Sequence, residues 1–540
     1  MKPLRDLDFK IWEHELGDDF DRDFILNGLK YGFDIISDKE LPENVSSKNH
    51  PSAHPSSPLY KKAHDQILIE LENGNYDFAK ILPKIISPLG ILNKPDGGVR
   101  IIHDCSLPDG SAVNDFAGDP PRQKFQTVDD AAKLVTPNCF MAKVDLKSAY
   151  RSVRISKRSQ QVTGFKWIFP DGKEYVLYDK KLPFGAKLAP NIFHRLSQAI
   201  KRMMSRKGFT IIAYLDDFFL CEPSQRKCMH ALNTLINLLC KLGFLISWSK
   251  VVGPCQQMTF LGVEIDSTKM ELRLPDAKLS ELKRELANFR QRKRATKKQL
   301  QSLVGKLNWA SAVVHGGRVF LRRIINAIMR LKQDWHKLRI GGDMLSDILW
   351  WQEFMAEFNG KSIILENSPI TSVATDACKT GGGALFENDW HYSNWEIDHP
   401  ATKGFHINEL EAFAVVLAAR KWATAWRNHR VILLCDNATT VACINKCTSR
   451  NHIMMSYLRE LFWLSASNNF HLKAVHVPGH QNVYADHISR LHDPKSFEYF
   501  MRHCLPQPLY ISHLNPHMSS NALSFLLCRH AHWPGPEGIG

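Results

Sequence analysis

The sequence lacks any uninterrupted apolar run near the roughly 18 residues that a membrane span needs, so no membrane partner is expected. Its first residues, MKPLRDLDFKIWEHELGDDFDRDF, alternate charges too densely for a signal-peptide core. Its 12 cysteines include no Cys-x-x-Cys pair, and the closest two are Cys443 and Cys447. That scatter argues against a zinc finger or a disulfide scaffold and fits reduced thiols in a cytoplasmic or nuclear protein. No internal repeat is present, which excludes a solenoid. What the chain does have is length and positive charge. At 540 residues it requires three or four domains. A 44% hydrophobic and 23% charged composition excludes wholesale disorder and a coiled-coil rod. The net charge of +15 points to a polyanionic partner.

That charge is concentrated. Residues 271–340 carry 18 Lys/Arg against 5 Asp/Glu. Leu279, Leu282 and Leu286, then Leu300, Leu303, Val304 and Leu307, recur at helical spacing. The basic residues Arg290, Arg292, Lys293, Arg294, Lys297, Lys298, Arg318, Arg322 and Arg323 are expected on these helices and the link between them, facing phosphates. Residues 43–58, rich in Ser, Pro and Asn, read as a linker. From about 85 to 270 short β-branched runs alternate with helical stretches, and a second α/β pattern fills about 370–490.

Two apolar strands flank Asp216 and Asp217 in the run Ile211 to Leu220, so a hairpin would hold two carboxylates at its tip. A third, Asp145, ends the apolar strand Phe140 to Val144. Concentrated carboxylates are costly unless cations sit among them, and acids at neighbouring strand ends suit two divalent ions about 3.5–4 Å apart. These segments resemble reverse transcriptases. Asp145 with Tyr150, the run Leu182-Pro183-Phe184-Gly185-Ala186-Lys187-Leu188-Ala189-Pro190, and Tyr214-Leu215-Asp216-Asp217 resemble consecutive palm motifs, in order. Lys94 to Arg100 (KPDGGVR) is similar to the fingers hairpin, Leu242-Gly243-Phe244 leading to Lys250 to the next palm motif, and Phe260-Leu261-Gly262 to the primer grip.

The resemblance implies Asp145, Asp216 and Asp217 as metal-binding carboxylates, with Lys94 and Arg100 on the triphosphate. It implies Gly185 as a point of close backbone approach to the template–nucleotide pair, and Tyr150 as the steric gate against ribose. Lys250 is either the acid that protonates pyrophosphate or a solvated lysine. The basic helices fit a thumb that grips duplex backbone.

A second carboxylate set follows. Asp376 ends a strand before a Gly-rich turn (Gly381, Gly382, Gly383), Glu409 opens a helix, Asp436 ends another strand, and Asp486 starts a helix after Val477-Pro478-Gly479-His480. These four resemble the two-metal site of the RNase H family. Within Glu-Leu-Glu-Ala the alignment assigns Glu409 rather than Glu411, His480 matches the loop histidine, and Cys378 stands where the family more often has Ser. His487-Ile488-Ser489-Arg490 spells a recombinase-like HxxR but lies inside this match. Trp309, Trp350 and Trp351 are expected to pack in a core or interface.

The fold class expected is α+β: a right-hand polymerase with fingers, palm and helical thumb, followed by an α/β RNase H-like domain. Its parts would be an N-terminal extension and linker (1–60), fingers and palm (61–270), a basic helical thumb and tether (271–350), the RNase H-like domain (370–490) and an unassigned tail (491–540). The implied cofactors are Mg2+ or Mn2+, two ions per site. The implied partners are an RNA template, a DNA primer, RNA–DNA hybrid and deoxynucleoside triphosphates. Pro-Phe-Gly in the palm and the run HVPGHQNVYADHISR make the chain resemble polymerases of DIRS-like, tyrosine-recombinase type retrotransposons. The other class of reading is a catalytically silent nucleic-acid-binding relic of a transposon.

Overall fold

The computed structural model describes residues 6–94, 97–314, 316–358, 361–363, 365 and 369–503. Pro95 and Asp96 of the expected fingers hairpin, and residues 504–540 of the tail, lie outside them. The chain forms two compact units, residues 1–261 and 262–540. Among the described residues no helix is long and apolar enough to cross a membrane.

In the first unit β1 (Phe140–Asp145), β2 (Ile211–Tyr214), β3 (Asp217–Glu222) and β4 (Val252–Cys255) form one sheet in the order β4-β1-β3-β2. Two helices, α1 (Ala189–Arg206) and α2 (Gln225–Leu242), cover it. Strand alternation sorts the faces. Val144, Phe218 and Leu220 share a core with Phe193 and Leu196 of α1 and Leu235 and Leu239 of α2. Phe219 turns the other way, its ring 5.0 Å from that of Phe260. The Ser224 hydroxyl caps the start of α2, and Gly243 at φ +99° ends it, the Gly243 and Phe244 amides returning to the Cys240 and Leu239 carbonyls. A second, five-stranded sheet runs Val45–Ser46, Ile85–Ile86, Gly164–Ile168, Glu174–Asp179, Tyr76–Phe78. Beside it stands the hairpin Leu89–Asn93/Val99–His103.

Residues 6–60 are not an extension or a linker. Trp12, Leu16 and Phe33 are buried in the same core as Val144, and Arg202 of α1 grips Asp19 at 2.7 Å and Asp21 at 2.9 Å. Val45–Ser46 is a parallel edge strand, and the Asn49 side chain accepts from the Leu89 amide (2.9 Å). The Ser- and Pro-rich composition resembles a loop because its order comes from partners far along the chain.

The second unit begins at Gly262, nine residues before the expected start of the thumb at 271. Val263–Asp266 pairs with Glu271–Arg273, and Arg273 binds Glu264, Asp266 and Glu271. There follow α3 (Asp276–Gln291), β5 (Arg294–Thr296), α4 (Lys297–Ala310), α5 (Arg322–Met329), β6 (Lys337–Arg339) and α6 (Gly342–Phe358). Arg323 of α5 was expected to face phosphates but is held by Asp343 and the buried Asp347. Trp350 stacks on Phe320 at 3.5 Å, and Trp351 is buried beside it, as packing residues.

The remaining sheet contains β7 (Ile370–Ala377), β8 (Gly381–Phe386), β9 (Asp389–Asn394), β10 (Arg430–Cys435) and β11 (His471–His476), in the order β9-β8-β7-β10-β11. β7, β10 and β11 run parallel, and β8 is antiparallel to both its neighbours. Helices α7 (Ile407–Trp422), α8 (His452–Asn468), α9 (Val483–Ser489) and α10 (Pro494–His503) accompany it. The fold therefore runs past residue 490, with Phe500 of α10 packed edge-on against Trp390.

The three glycines expected as a turn are the first half of β8 instead. A Cβ on Gly383 would lie 2.4 Å from the Ser489 amide nitrogen, and one on Gly382 would lie 2.3 Å from Trp395. The close crossing of α9 requires Gly381 and Gly383, and the Trp395 ring requires Gly382.

Candidate active sites

The first acidic group is built by one hairpin and its neighbouring strand. Tyr214 pairs with Asp217 across a two-residue turn, and Asp217 pairs with Asp145 of β1. Leu215 sits at φ +50° in that turn, a left-handed conformation that costs a β-carbon residue about 1–2 kcal/mol. Burial raises the pKa of Asp216, Asp145 adds to the rise, and Lys250 and Arg100 oppose it. Asp217, hydrogen-bonded to Asp145, is pushed up to about 7 by burial first and then by its two acidic neighbours. Three such carboxylates, offering only hard oxygen donors, suit divalent cations.

Lys250 is exposed and pairs with Asp145. Its Nζ lies 3.2 and 3.3 Å from the two Asp145 oxygens. Arg100 is exposed on the fingers hairpin, its guanidinium carbon 5.7 Å from the centre of the Phe184 ring. Lys94 closes the same hairpin through backbone bonds with Gly97 and Gly98. Gly185, at φ +118°, is required by the packing of the chain itself. A Cβ there would lie 2.1 Å from the His103 carbonyl oxygen, so the close approach is to the fingers hairpin.

Tyr150 sits on the short turn Ala149–Ser152, half-buried, stacked on Phe184 at 5.1 Å and against Phe193 at 5.3 Å. Burial raises its phenol pKa, and the nearby Asp216 charge adds to the rise. The next residue, Arg151, was not singled out from sequence. Its buried guanidinium binds Asp179 in two-pronged fashion at 2.8 and 3.0 Å and Glu70 at 3.0 Å. Burial works against that charge, but Asp179 and Glu70 outweigh it and hold the pKa above its ordinary value. The cluster pins the turn that presents Tyr150. No local pattern marks it, because the three residues are far apart in sequence.

In the second unit Asp376, at the end of β7, is 3% exposed and accepts from the Ser489 hydroxyl at 2.6 Å. Burial drives its pKa up to about 6, against the Ser489 bond and with the help of Asp436 and Asp486. Asp436 follows β10 and is raised by burial and by Asp486. Asp486 lies on α9, paired with Arg490 at 2.8 Å, so the arginine of the HxxR run serves this site.

The glutamate differs from the expectation. Glu409 caps the start of α7, accepting from the His406 amide at 2.8 Å and from the Asn451 side chain at 2.6 Å. Glu411, two positions on and so about 200° around the helix, faces inward. Its carboxylate, the Cys435 thiol and the Asp436 carboxylate all lie within 4.8 Å of one another. Burial, with Asp376 and Asp436 adding, pushes the Glu411 pKa up to about 9. The spacing His406-x-x-Glu409 is a capping-box pattern, the sequence signal that could have separated the two glutamates.

His480 is exposed on the short turn Gly479–Gln481, and a Cβ on Gly479 would lie 3.2 Å from an Asp436 carboxylate oxygen. Cys378 bonds the Gly381 amide and the Ser489 carbonyl through its sulfur, a packing role.

Residues 92–265 match the reverse transcriptase (RNA-dependent DNA polymerase) family. Among curated proteins, Protein P of Heron hepatitis B virus is 26% identical over 257 residues, covering 45% of this chain and 30% of that protein. The enzymatic polyprotein of Cauliflower mosaic virus (strain D/H) is 22% identical over 411 residues, 74% of this chain and 56% of the polyprotein. The putative enzymatic polyprotein of Cassava vein mosaic virus is 23% identical over 376 residues, 65% of this chain and 52% of the polyprotein. The chain thus spans about half or less of the length of these relatives.

Two solved structures of the foamy viral protease–reverse transcriptase share the fold. One, a dRH form in complex with double-stranded DNA, has a TM-score of 0.50 at 15% identity, covering 87% of this chain and 81% of that one. The other, with an RNA/DNA hybrid, has a TM-score of 0.51 at 16% identity, covering 86% and 62%. The fold is that of a right-hand polymerase followed by an RNase H-like domain. Residues 92–265 thus resemble a reverse transcriptase domain, and the chain is similar to the Cauliflower mosaic virus polyprotein and to Protein P of Heron hepatitis B virus.

Proposed function

We propose that this chain is an RNA- and DNA-templated DNA polymerase with a tethered ribonuclease H that degrades the RNA strand of RNA–DNA hybrids. It would serve the replication of a retrotransposon of the DIRS-like, tyrosine-recombinase type. The observation that carries the proposal is the meeting of Asp145, Asp216 and Asp217 at one end of a sheet inside the matched region. The RNase H part is supported by Asp376 of β7, Glu411 of α7, Asp436 after β10 and Asp486 of α9, gathered in the second unit. Both sets fit Mg2+ or Mn2+, two ions per site, because their donors are chiefly carboxylate oxygens. Ions bound there would activate the primer 3′-hydroxyl or a water and neutralise the departing oxygen.

The chain's own residues supply the rest. Arg100 and Lys94 would meet the triphosphate of the incoming deoxynucleotide. Tyr150 would occupy the volume of a ribose 2′-hydroxyl. Lys250 would hold Asp145 until cations take over, and His480 would attend the hybrid's scissile strand. The basic thumb would hold template–primer duplex. The free thiols among the described cysteines suit a reducing cytoplasm or nucleus.

Extension of a DNA primer on an RNA template with magnesium tests the proposal. Deoxynucleotide-dependent extension that disappears in Asp145→Asn is expected. A folded protein that extends nothing with either ion overturns it.

A further inference from the structure

Some cations of the second unit are tied up by acids. Arg273, Lys306 and Arg323 are each held by two or more acids. Those of the ribbon β5–β6 are not. Among the described residues no carboxylate lies within ion-pair distance of Arg294, Lys337 or Arg339.

The ribbon's register makes the pattern sharper. Arg294 pairs directly with Arg339, Ala295 with Leu338, and Thr296 with Lys337. Alternation therefore turns Ala295 and Leu338, buried and half-buried, to one face. It sets Arg294, Lys337 and Arg339, all exposed, on the other. Like charges directly across an antiparallel pair are destabilising, and a polyanion laid along this face would remove that cost.

An aromatic platform stands at the ribbon's entrance. Trp335 is 71% exposed, yet its backbone is fixed. The Lys297 amide donates to the His336 carbonyl at 3.0 Å, and the Lys298 amide donates to the Asp334 carbonyl at 3.2 Å. The His336 ring supports the indole edge-on, its centroid 6.1 Å away. A large apolar ring held in water two residues before the exposed Lys337 is an arrangement that binds unpaired bases, since every base has a π-face to stack. A duplex could use the cations but not the indole, because its base faces are already stacked.

We propose that the ribbon and Trp335 form a binding site for single-stranded nucleic acid. Phosphates lie on Arg294, Lys337 and Arg339, and one unpaired base stacks on Trp335. The polymerase reading supplies the occupant, an unpaired template or displaced strand, but the binding chemistry is independent of catalysis.

Fluorescence anisotropy of the full chain with oligo-dT and with a duplex of equal length tests this. Trp335→Ala should weaken oligo-dT binding by about 5- to 150-fold, the range for one stacked base, and leave duplex affinity unchanged. Trp335→Phe should keep most of the affinity. Replacing Arg294, Lys337 and Arg339 together by Ala should lower the slope of log affinity against log salt on oligo-dT by about 2, at roughly 0.7 per phosphate contact. Unchanged oligo-dT binding in Trp335→Ala, or an equal loss on duplex, overturns the site. If that variant does not fold, the salt slope of the charge variant decides alone, and an unchanged slope is fatal. Primer extension by the unaltered chain is read separately: its failure would sink the polymerase reading and leave this site standing.

Discussion

Tyr150 and Glu411 show how much depends on a single side chain's surroundings. The Tyr150 ring is wedged between Phe184 and Phe193, and the next residue is anchored by a buried ion cluster. Such a ring cannot move aside for a 2′-hydroxyl without displacing packed neighbours. Tyr150→Val should raise the kcat/KM ratio of ribonucleotides to deoxynucleotides by about 5- to 150-fold, the equivalent of ~1–3 kcal/mol of relieved overpacking. An unchanged ratio in a folded variant would return Tyr150 to the core. Glu411 titrates from an ordinary 4.5 up to about 9 in the folded state, so folding takes up a proton there. The cation-free protein should therefore be most stable below about pH 4.5 as far as this group is concerned, and lose that contribution as pH rises through about 9. Glu411→Gln should abolish hybrid cleavage, yet raise the thermal midpoint in chelator at pH 8 more than at pH 5. Glu409→Gln should retain cleavage and keep the helix cap, since a glutamine oxygen still accepts from the His406 amide. Cleavage and melting curves of both variants check this, and the reverse pattern would restore Glu409 to the metal site.

At the scale of elements, the placement of α9 against β8 decides whether the second acidic group exists. Gly381 and Gly383 leave room for Ser489, which bonds Asp376, and for the turn of helix that carries Asp486. Gly383→Ala puts a methyl 2.4 Å from a backbone nitrogen that cannot rotate away. The helix must shift, at a cost of about 1–3 kcal/mol, and Asp486 moves with it. Hybrid cleavage should fall at least tenfold while primer extension continues. Parallel assays on one preparation would show it, and unimpaired cleavage would mean that α9 tolerates displacement.

Over the whole molecule, each unit has its own sheet, core and carboxylate group, so the chemistries should separate. Removing even an outer-shell partner of a metal site costs about 10- to 100-fold, and removing a carboxylate of the group should cost more. Asp216→Asn is expected to abolish extension and spare hybrid cleavage, and Asp436→Asn to do the opposite. Loss of both activities in either folded variant would mean the two groups do not act independently.

The carboxylates Asp145, Asp216, Asp217, Asp376 and Asp436 were legible in the sequence because each signal is local, an apolar strand followed at once by an acid. The order of these segments was enough to indicate two domains, and the run of Lys and Arg in 271–340 indicated the basic helices between them. What the sequence left open was decided by partners distant along the chain. Asn451 reaches across to Glu409 and leaves Glu411 for the acids. Ser489 and α9 turn a run of glycines into a strand, and the Leu242 carbonyl accepts from the Trp12 indole to bring the first residues into the palm core. Arg151, Glu70 and Asp179 carry no shared pattern until folding buries them together. Local periodicity records which face of an element is apolar, and only tertiary packing selects what that face meets.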